Sequence, residues 1–314
     1  LMEIVEKKVK PERYALKDNS DGRQYKKNWW KFGRPSPSLF RAILNKEHVL
    51  VASLVQSNWQ VVRLASPQVF SHSLAVFALD SYLWLAVLQS SIHEAWTRFL
   101  GSSMGDGLRY TPSDCFDTFP FPARFSDSSE NISFQEASHQ RIISIGERYH
   151  HFRAEIMLAR NEGLTSTYNR FHHPAETGSD LLELRRLHCD MDQAVLAAYR
   201  WSDVPNTCGF GLEYLDIEED VQLPEALQER IDSGELFFWD ADEAINFETQ
   251  LRSYGAVKGK KKLPWRYRWP DDVRDDVLAR LLAFNAKRYA EEIAQCLHNK
   301  GKKRDRPIKT AVSD

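Results

Sequence analysis

Arg109-Tyr110-Thr111-Pro112-Ser113-Asp114-Cys115-Phe116-Asp117-Thr118-Phe119-Pro120-Phe121-Pro122 separates two parts of the chain that read differently. Its three prolines forbid a continuous helix and leave at most an edge strand, because proline fixes φ and lacks a backbone donor. Phe116, Phe119 and Phe121 stand among the prolines as apolar anchors. Thr111 to Asp114 supplies hydroxyls and a carboxylate suited to turn hydrogen bonds. The stretch is expected to be a buried, rigid crossover, with Arg109, Tyr110 and Ser113 at its entrance as candidates for ligand contact.

Upstream, strands and helices alternate. Ile4–Val9 fits a short strand or a helix end, and Lys17–Gln24 is polar and flexible in composition. Trp29-Trp30-Lys31-Phe32-Gly33-Arg34-Pro35 interleaves aromatic and basic side chains, which can stack on bases and pair with phosphates; paired tryptophans also serve as core anchors. Ser36-Pro37-Ser38 opens a short helix, Leu39–Asn45. His48–Leu54, Trp59–Leu64 and Leu74–Leu79 read as strands from their Val, Leu and Phe content. Leu85, Leu88, Ile92, Trp96 and Phe99 form one stripe of a helix over Ser81–Phe99, ended by Gly101–Gly107.

Downstream, Ser133–Glu162 reads as one long helix, with Ile142, Ile145, Tyr149, Phe152, Ile156 and Ala159 on one face and Gly163 as its stop. Leu164–Pro174 reads as an ordered aromatic loop. Asp180–Tyr199 is a second helix, with Leu181, Leu184, Leu187, Met191, Val195 and Leu196 inward, so the two can pair antiparallel. Shorter helices are expected over Pro224–Ile231 and Ala241–Leu251. Trp265-Arg266-Tyr267-Arg268-Trp269-Pro270 is a second aromatic-basic knot, and a final helix opens at Pro270 and runs to about His298. The tail Asn299–Asp314 reads as disordered. The fold class expected is therefore α+β: a mixed sheet-and-helix module over 1–122, a helical hairpin over 123–200, and an acidic mixed segment with a C-terminal helix over 201–314.

The 314 residues are long enough for a real core, and 42% hydrophobic with 27% charged is a globular composition. No apolar run spans a bilayer and no signal peptide opens the chain, so no membrane partner and a cytoplasmic location are expected. A start on Leu1 reads as a trimmed or partial chain. The net charge of −2 hides a strong pattern. Residues 1–46 carry twelve Lys and Arg against five Asp and Glu, a balance of +7. Residues 201–257 stand at −12, with two Arg against fourteen acids, and residues 258–314 at +8, with sixteen bases against eight acids. Basic ends around an acidic middle suit a protein that offers phosphate contacts from selected surfaces.

Catalytic groups are hard to find in this sequence. Cys115, Cys189, Cys208 and Cys296 form no Cys-x-x-Cys pair, and His150-His151 and His172-His173 are adjacent pairs that diverge by about 100° on a helix. No metal site is read from them. Gly105-x-Gly107 and Gly209-x-Gly211 lack the third glycine of a dinucleotide loop, and no nucleophile elbow, Walker loop or His-Glu-x-x-His helix occurs. Glu6-x-Lys8 has no upstream carboxylate to complete a metal-dependent nuclease site. No catalytic residue is assigned.

Tyr25-x-x-x-Trp29-Trp30-x-Phe32-Gly33-Arg34-Pro35, His93-Glu94-x-Trp96 and the Arg109–Pro122 stretch, in that order, resemble the target-recognition region of MmeI-like (type IIL) DNA methyltransferase and restriction–modification proteins. Glu162-Gly163-Leu164-Thr165-x-Thr167-Tyr168-Asn169-Arg170-Phe171-His172 and Leu187-His188-x-x-Met191-Asp192-x-Ala194-Val195-Leu196 are similar to the helical segment that follows it in that family. Trp265–Pro270 with Arg280-Leu281-Leu282-Ala283-x-Asn285 resembles its C-terminus.

The resemblance implies the specificity portion of an adenine-specific DNA methyltransferase of restriction–modification or phage defence. Its S-adenosylmethionine would be bound by a methyltransferase domain or subunit outside this chain, which has no Pro-Pro pair and no methyl-donor glycine motif. The expected partner is double-stranded DNA. Lys26, Lys27, Lys31, Arg34 and Arg41 are expected to contact phosphates, with Trp30 stacking beside them. Gln56, Asn58, Gln60 and Arg63 on strand loops are expected at base edges, where Asn or Gln suits adenine and Arg suits guanine. The alternative is a protein-interaction subunit of a defence complex that docks through its acidic block without touching DNA.

Overall fold

A computed structural model describes residues 2–31, 36–104, 107–122, 132–218, 221–259 and 261–295. Arg34, Gly105, Cys296 and the tail Asn299–Asp314 lie outside these. The chain divides into two compact units, Leu1–Lys46 and Glu47–Asp314.

The first unit is helical: α1 (Met2–Tyr14), α2 (Ser20–Lys27) and α3 (Pro37–Ile43). The ambiguous Ile4–Val9 is helix, braced by Lys7–Glu3 and Lys10–Glu6 pairs one turn apart, each 2.9 Å. The polar stretch after Lys17 is also helix, contrary to the flexible reading. Asn19 Oδ1 accepts the Gly22 N–H at 2.7 Å, and Lys26 and Lys27 sit in the last turn, where the helix dipole favours positive charge. Gly22 is required there, since a Cβ would lie 1.9 Å from the Lys17 carbonyl oxygen.

The second unit opens with an antiparallel sheet of order β3-β1-β4, formed by β1 (His48–Ser53), β3 (Val61–Ala65) and β4 (Leu74–Phe77). Leu50 on the central strand faces Arg63 on one side and Phe77 on the other. Val49 through Ala52 are all buried, so β1 is covered on both faces, which is why its sequence is a continuous apolar run instead of an alternation. A second antiparallel sheet, β2-β6-β5, joins β2 (Val55–Gln56), β5 (Ser102–Met104) and β6 (Gly107–Arg109).

Where one helix was expected between these sheets there are two, α4 (Tyr82–Gln89) and α5 (Ser91–Leu100). Ser90 takes extended backbone between them, and its hydroxyl accepts the His93 N–H to cap α5. The Phe-Pro stretch continues β6 into a one-turn helix, α6 (Pro112–Cys115), and then runs as coil. Its far end is tied to two other elements. Tyr199 Oη donates to the Pro120 carbonyl at 2.9 Å, and Asn285 Nδ2 to that of Thr118 at 2.6 Å.

The long helix α7 (Ile132–Arg160) packs antiparallel on α9 (Ser179–Tyr199), and α4 packs on α7 where Gly146 allows close approach. A Cβ at Gly146 would lie 2.4 Å from the Tyr82 carbonyl oxygen. α7 stops at Arg160, short of Gly163, because Asn161 turns left-handed (φ 49°) and the Glu162 N–H closes back on Met157. The expected aromatic loop is helix α8 (Leu164–His172), which buries Tyr168 and Phe171 among Leu184, Leu187 and Met191 of α9.

The acidic segment folds around a third antiparallel sheet, β8-β7-β9, made of β7 (Gly209–Leu212), β8 (Phe237–Phe238) and β9 (Trp265–Arg268). Helices α10 (Glu225–Asp232) and α11 (Ala241–Ser253) share a core with it through Leu227, Phe238, Phe247 and Trp265. The aromatic-basic knot is thus an edge strand. Helix α12 (Asp271–Ala294) completes the described residues and packs Val277 and Leu281 into one core with Trp96, Phe119 and Val195. The architecture is α+β, with small antiparallel sheets and a largely helical second half.

Candidate nucleic-acid interface

In the unit Leu1–Lys46 the basic and aromatic side chains are organised in pairs. Lys10 Nζ stands 4.8 Å from the centre of the Trp29 ring and the Arg13 guanidinium 4.5 Å from that of Tyr25, both within cation–π range. Trp30 meets Trp29 edge-on at 5.7 Å and remains 48% exposed. Lys27, Lys31 and Arg41 are exposed and Lys26 half-buried. α1 buries no residue, so this unit is mostly surface. Chemically it offers ammonium and guanidinium donors beside a free indole face, a combination suited to phosphates and sugars.

In the unit Glu47–Asp314 the seven residues singled out by the sequence fall into two groups. Asn58, Gln60 and Tyr110 are 2%, 8% and 1% exposed. Asn58 Nδ2 donates to Asn169 Oδ1 of α8 at 3.0 Å. Tyr110 stacks on Trp59 at 4.8 Å, its hydroxyl is 3.4 Å from His93 Nε2, and burial pushes its acidity far down. These three belong to the interior, against the expectation that they reach DNA. The turn they frame is pinned from several directions. Trp59 Nε1 donates to the Leu88 carbonyl at 2.6 Å, Arg266 Nη2 to that of Ser57 at 2.9 Å, and Arg153 Nη2 to that of Val61 at 3.0 Å.

Gln56, Arg63, Arg109 and Ser113 keep solvent access. Arg109 is exposed on β6 opposite Val55 and Ser102. Arg63 is half-buried: Nε donates to the Asp80 carbonyl at 2.8 Å and the guanidinium lies 4.7 Å over the Tyr82 ring. Tyr82 Oη is in turn 3.3 Å from Nε2 of the exposed His151. Arg63 is thus held in a braced position. The exposed Ser113 donates to its neighbour Asp114 at 3.1 Å.

The residues of the quoted motifs form framework. His93 is fully buried against Trp59, Tyr110 and Phe119, and burial holds its pKa at about 3, so it is neutral. Trp96 Nε1 donates to Thr118 Oγ1 at 3.3 Å, bringing α5 to the Phe-Pro stretch. Glu94 and Glu213 hold Arg98 at 2.8 and 2.5 Å, and Glu213 also reaches Arg266 at 3.0 Å.

Two cavities of about 450 and 530 Å³ share His172 and Arg266. The first is walled by the Arg98–Glu213–Arg266 chain and Trp269, the second by Ser57, Asn169, Arg170 and Trp265. His172 Nδ1 accepts the Tyr267 N–H at 3.1 Å, which places the proton of this neutral ring on Nε2. Beside the first cavity Ser91, His188 and Asp192 converge, with Ser91 Oγ 2.6 Å from Asp192 Oδ2 and 3.1 Å from His188 Nε2. The carboxylate contacts the serine and the α5 backbone at Ser91, not His188 Nδ1, so it caps a helix and does not orient a base as a nucleophilic triad requires. Among the described residues no three His, Cys, Asp or Glu side chains are grouped to hold a metal ion. No described helix is long and apolar enough to cross a membrane.

Of the pinning residues, Asn169 and Arg266 stand in quoted motifs without a pinning role assigned, and Gln89 and Arg153 were not singled out from sequence. One signal was present: Arg153 lies on the α7 stripe between Tyr149 and Ile156, where a charge must find internal partners.

No curated protein matches the chain significantly. Among solved structures, that of the type IIL restriction–modification enzyme MmeI in complex with DNA is similar at 18% identity and a TM-score of 0.46. The match covers 78% of this chain and 26% of that one, so this chain spans about a quarter of the solved protein's length. The family defined as the MmeI target recognition domain matches residues 6–123, which run from α1 through the Phe-Pro stretch.

Proposed function

We propose that this chain reads the sequence of double-stranded DNA for a methyltransferase domain or subunit that holds S-adenosylmethionine and modifies adenine. The observation that carries the reading is the match of residues 6–123 to the MmeI target recognition domain. The balance of +7 over residues 1–46 supports it, because phosphate neutralisation supplies most non-specific affinity. Lys26, Lys27, Lys31 and Arg41 contact phosphates and Trp30 packs on a sugar or base. Arg63, Arg109, Gln56 and Ser113 are the candidates for base edges. In this reading 1–122 is the reading module, 123–200 the helical spacer and 201–314 the segment facing the catalytic partner, in the cytoplasm where its DNA lies.

The test is fluorescence anisotropy of the purified chain on a labelled duplex at about 50 to 200 mM salt. Binding that weakens linearly in log–log form as salt rises is the expected result. A chain that fails to bind duplex even at the lowest salt overturns the reading and favours a protein-docking subunit.

A further inference from the structure

Two cysteines distant in sequence meet in space. Cys189 on α9 and Cys208, immediately before β7, place their sulfurs 4.0 Å apart. That is contact between two thiols, about 2 Å longer than a disulfide bond. Both cysteines are half-buried, within reach of a small oxidant, whereas Cys115 is fully enclosed. The backbone around them is already fixed. Asn206 Nδ2 donates to the Cys189 carbonyl at 2.7 Å, and Asn206 Oδ1 accepts Trp269 Nε1–H at 3.1 Å. Tyr267 Oη lies 3.9 Å from Cys189 Sγ.

The two thiols differ. The contact with the Cys208 sulfur holds Cys189 below its ordinary pKa, although burial and the nearby Asp192 and Asp190 act the other way. Cys208 is pushed well up by Cys189 and by burial. With the Tyr267 hydroxyl also 3.9 Å from its sulfur, Cys189 is the readier nucleophile and Cys208 the resolving partner.

We propose that Cys189 and Cys208 are an oxidation site that closes to an intramolecular disulfide when the protein meets hydrogen peroxide. The Cys189 thiolate attacks one peroxide oxygen, the O–O bond breaks, and the departing hydroxide takes up a proton to leave as water, giving a sulfenic acid. Cys208 then attacks that sulfur, the S–O bond breaks, and a second water leaves with the Cys208 proton. Two thiols are oxidised to one disulfide and one peroxide is reduced to two waters. The new bond ties α9 to the β8-β7-β9 sheet, so it constrains the elements that carry Tyr267 and Arg266.

The experiment treats the full chain, in a Cys296→Ser background that prevents exchange between molecules, with hydrogen peroxide, blocks remaining thiols with N-ethylmaleimide and maps peptides by mass spectrometry. The expected result is a cross-linked pair of Cys189 and Cys208 peptides, reversed by dithiothreitol, with Cys115 alkylated after unfolding and the oxidised form melting roughly 5 °C higher. Cys208→Ser should instead accumulate a dimedone-reactive sulfenic acid at Cys189. Recovery of both cysteines alkylated, or of Cys189 as sulfinic acid beside a free Cys208, overturns the proposal.

Discussion

Arg153 reaches across from α7 and donates through Nη2 to the carbonyl oxygen of Val61 at 3.0 Å, joining residues 92 positions apart. The same guanidinium donates to Tyr168 Oη at 2.9 Å and Gln89 Oε1 at 3.3 Å, and the residue is 2% exposed with no carboxylate partner among these contacts. Gln89 in turn accepts the Val61 N–H at 2.8 Å, so the first residue of β3 is fixed on both backbone groups. Arg153→Ala should cost about 3 kcal/mol, because it leaves several buried acceptors without donors. Urea unfolding followed by circular dichroism checks this; a loss under about 1 kcal/mol would show the contact to be dispensable.

Acid sensitivity follows from the buried imidazoles. Burial holds His93 at about 3 and His150 at about 4, and lowers His172 well below the usual value. An unfolded histidine titrates near 6.5. Below that pH the unfolded state binds protons that the folded state refuses, so stability is complete above about 6.5 and falls as pH drops toward 4. Buried His93 and His172 each contribute a slope of up to about 1.4 kcal/mol per pH unit, and half-buried His150 contributes less because solvent screens it. His93→Phe should flatten the dependence of the urea midpoint between those values, and an unchanged slope contradicts a neutral buried His93.

Three substitutions separate reading from support. Arg109→Ala should lose about 1 to 3 kcal/mol of discrimination at one base-pair position while leaving Tm unchanged. Lys27→Gln should weaken all duplexes alike and reduce the salt slope by about 0.9. Asn58→Ala should do neither and instead lower stability by about 1 kcal/mol, since Asn169 loses its partner. Binding to a randomised duplex library beside melting curves distinguishes the three. A shifted DNA preference in Asn58→Ala would return that residue to the interface.

Gly146 sits where α4 and α7 touch. Gly146→Ala places a methyl group 2.4 Å from the Tyr82 carbonyl oxygen, and helix propensity cannot compensate for that overlap. The variant should lose about 2 kcal/mol in spite of the better helix former, measurable as a lower urea midpoint at constant m.

Much of the framework was legible because its signals are local. Runs rich in Val, Leu and Phe marked β1, β3 and β4, and the stripes of α7 and α9 marked the paired helices with ends displaced by a few residues at most. The stripe Leu85, Leu88, Ile92, Trp96 keeps helical spacing across Ser90, so periodicity alone could not reveal that Ser90 breaks it. α8 is short and rich in aromatic residues and is held by burial of Tyr168 and Phe171, a cause that lies in α9 and not in its own composition. Asn58 and Gln60 look like turn residues that face water. They face inward because Gln89, Arg153, Asn169 and Arg266 converge on the turn from distant segments.

Phe119 shares its core with Trp96 on one side and with Val195, Trp269 and Leu281 on the other. A chimera that grafts a foreign front portion at Pro122 therefore cuts through a continuous apolar seam. Transplants that move Phe119 and Phe121 together with their core neighbours Val195 on α9 and Leu281 on α12 should yield soluble hybrids, whereas exchange at the proline alone should leave mismatched halves that aggregate.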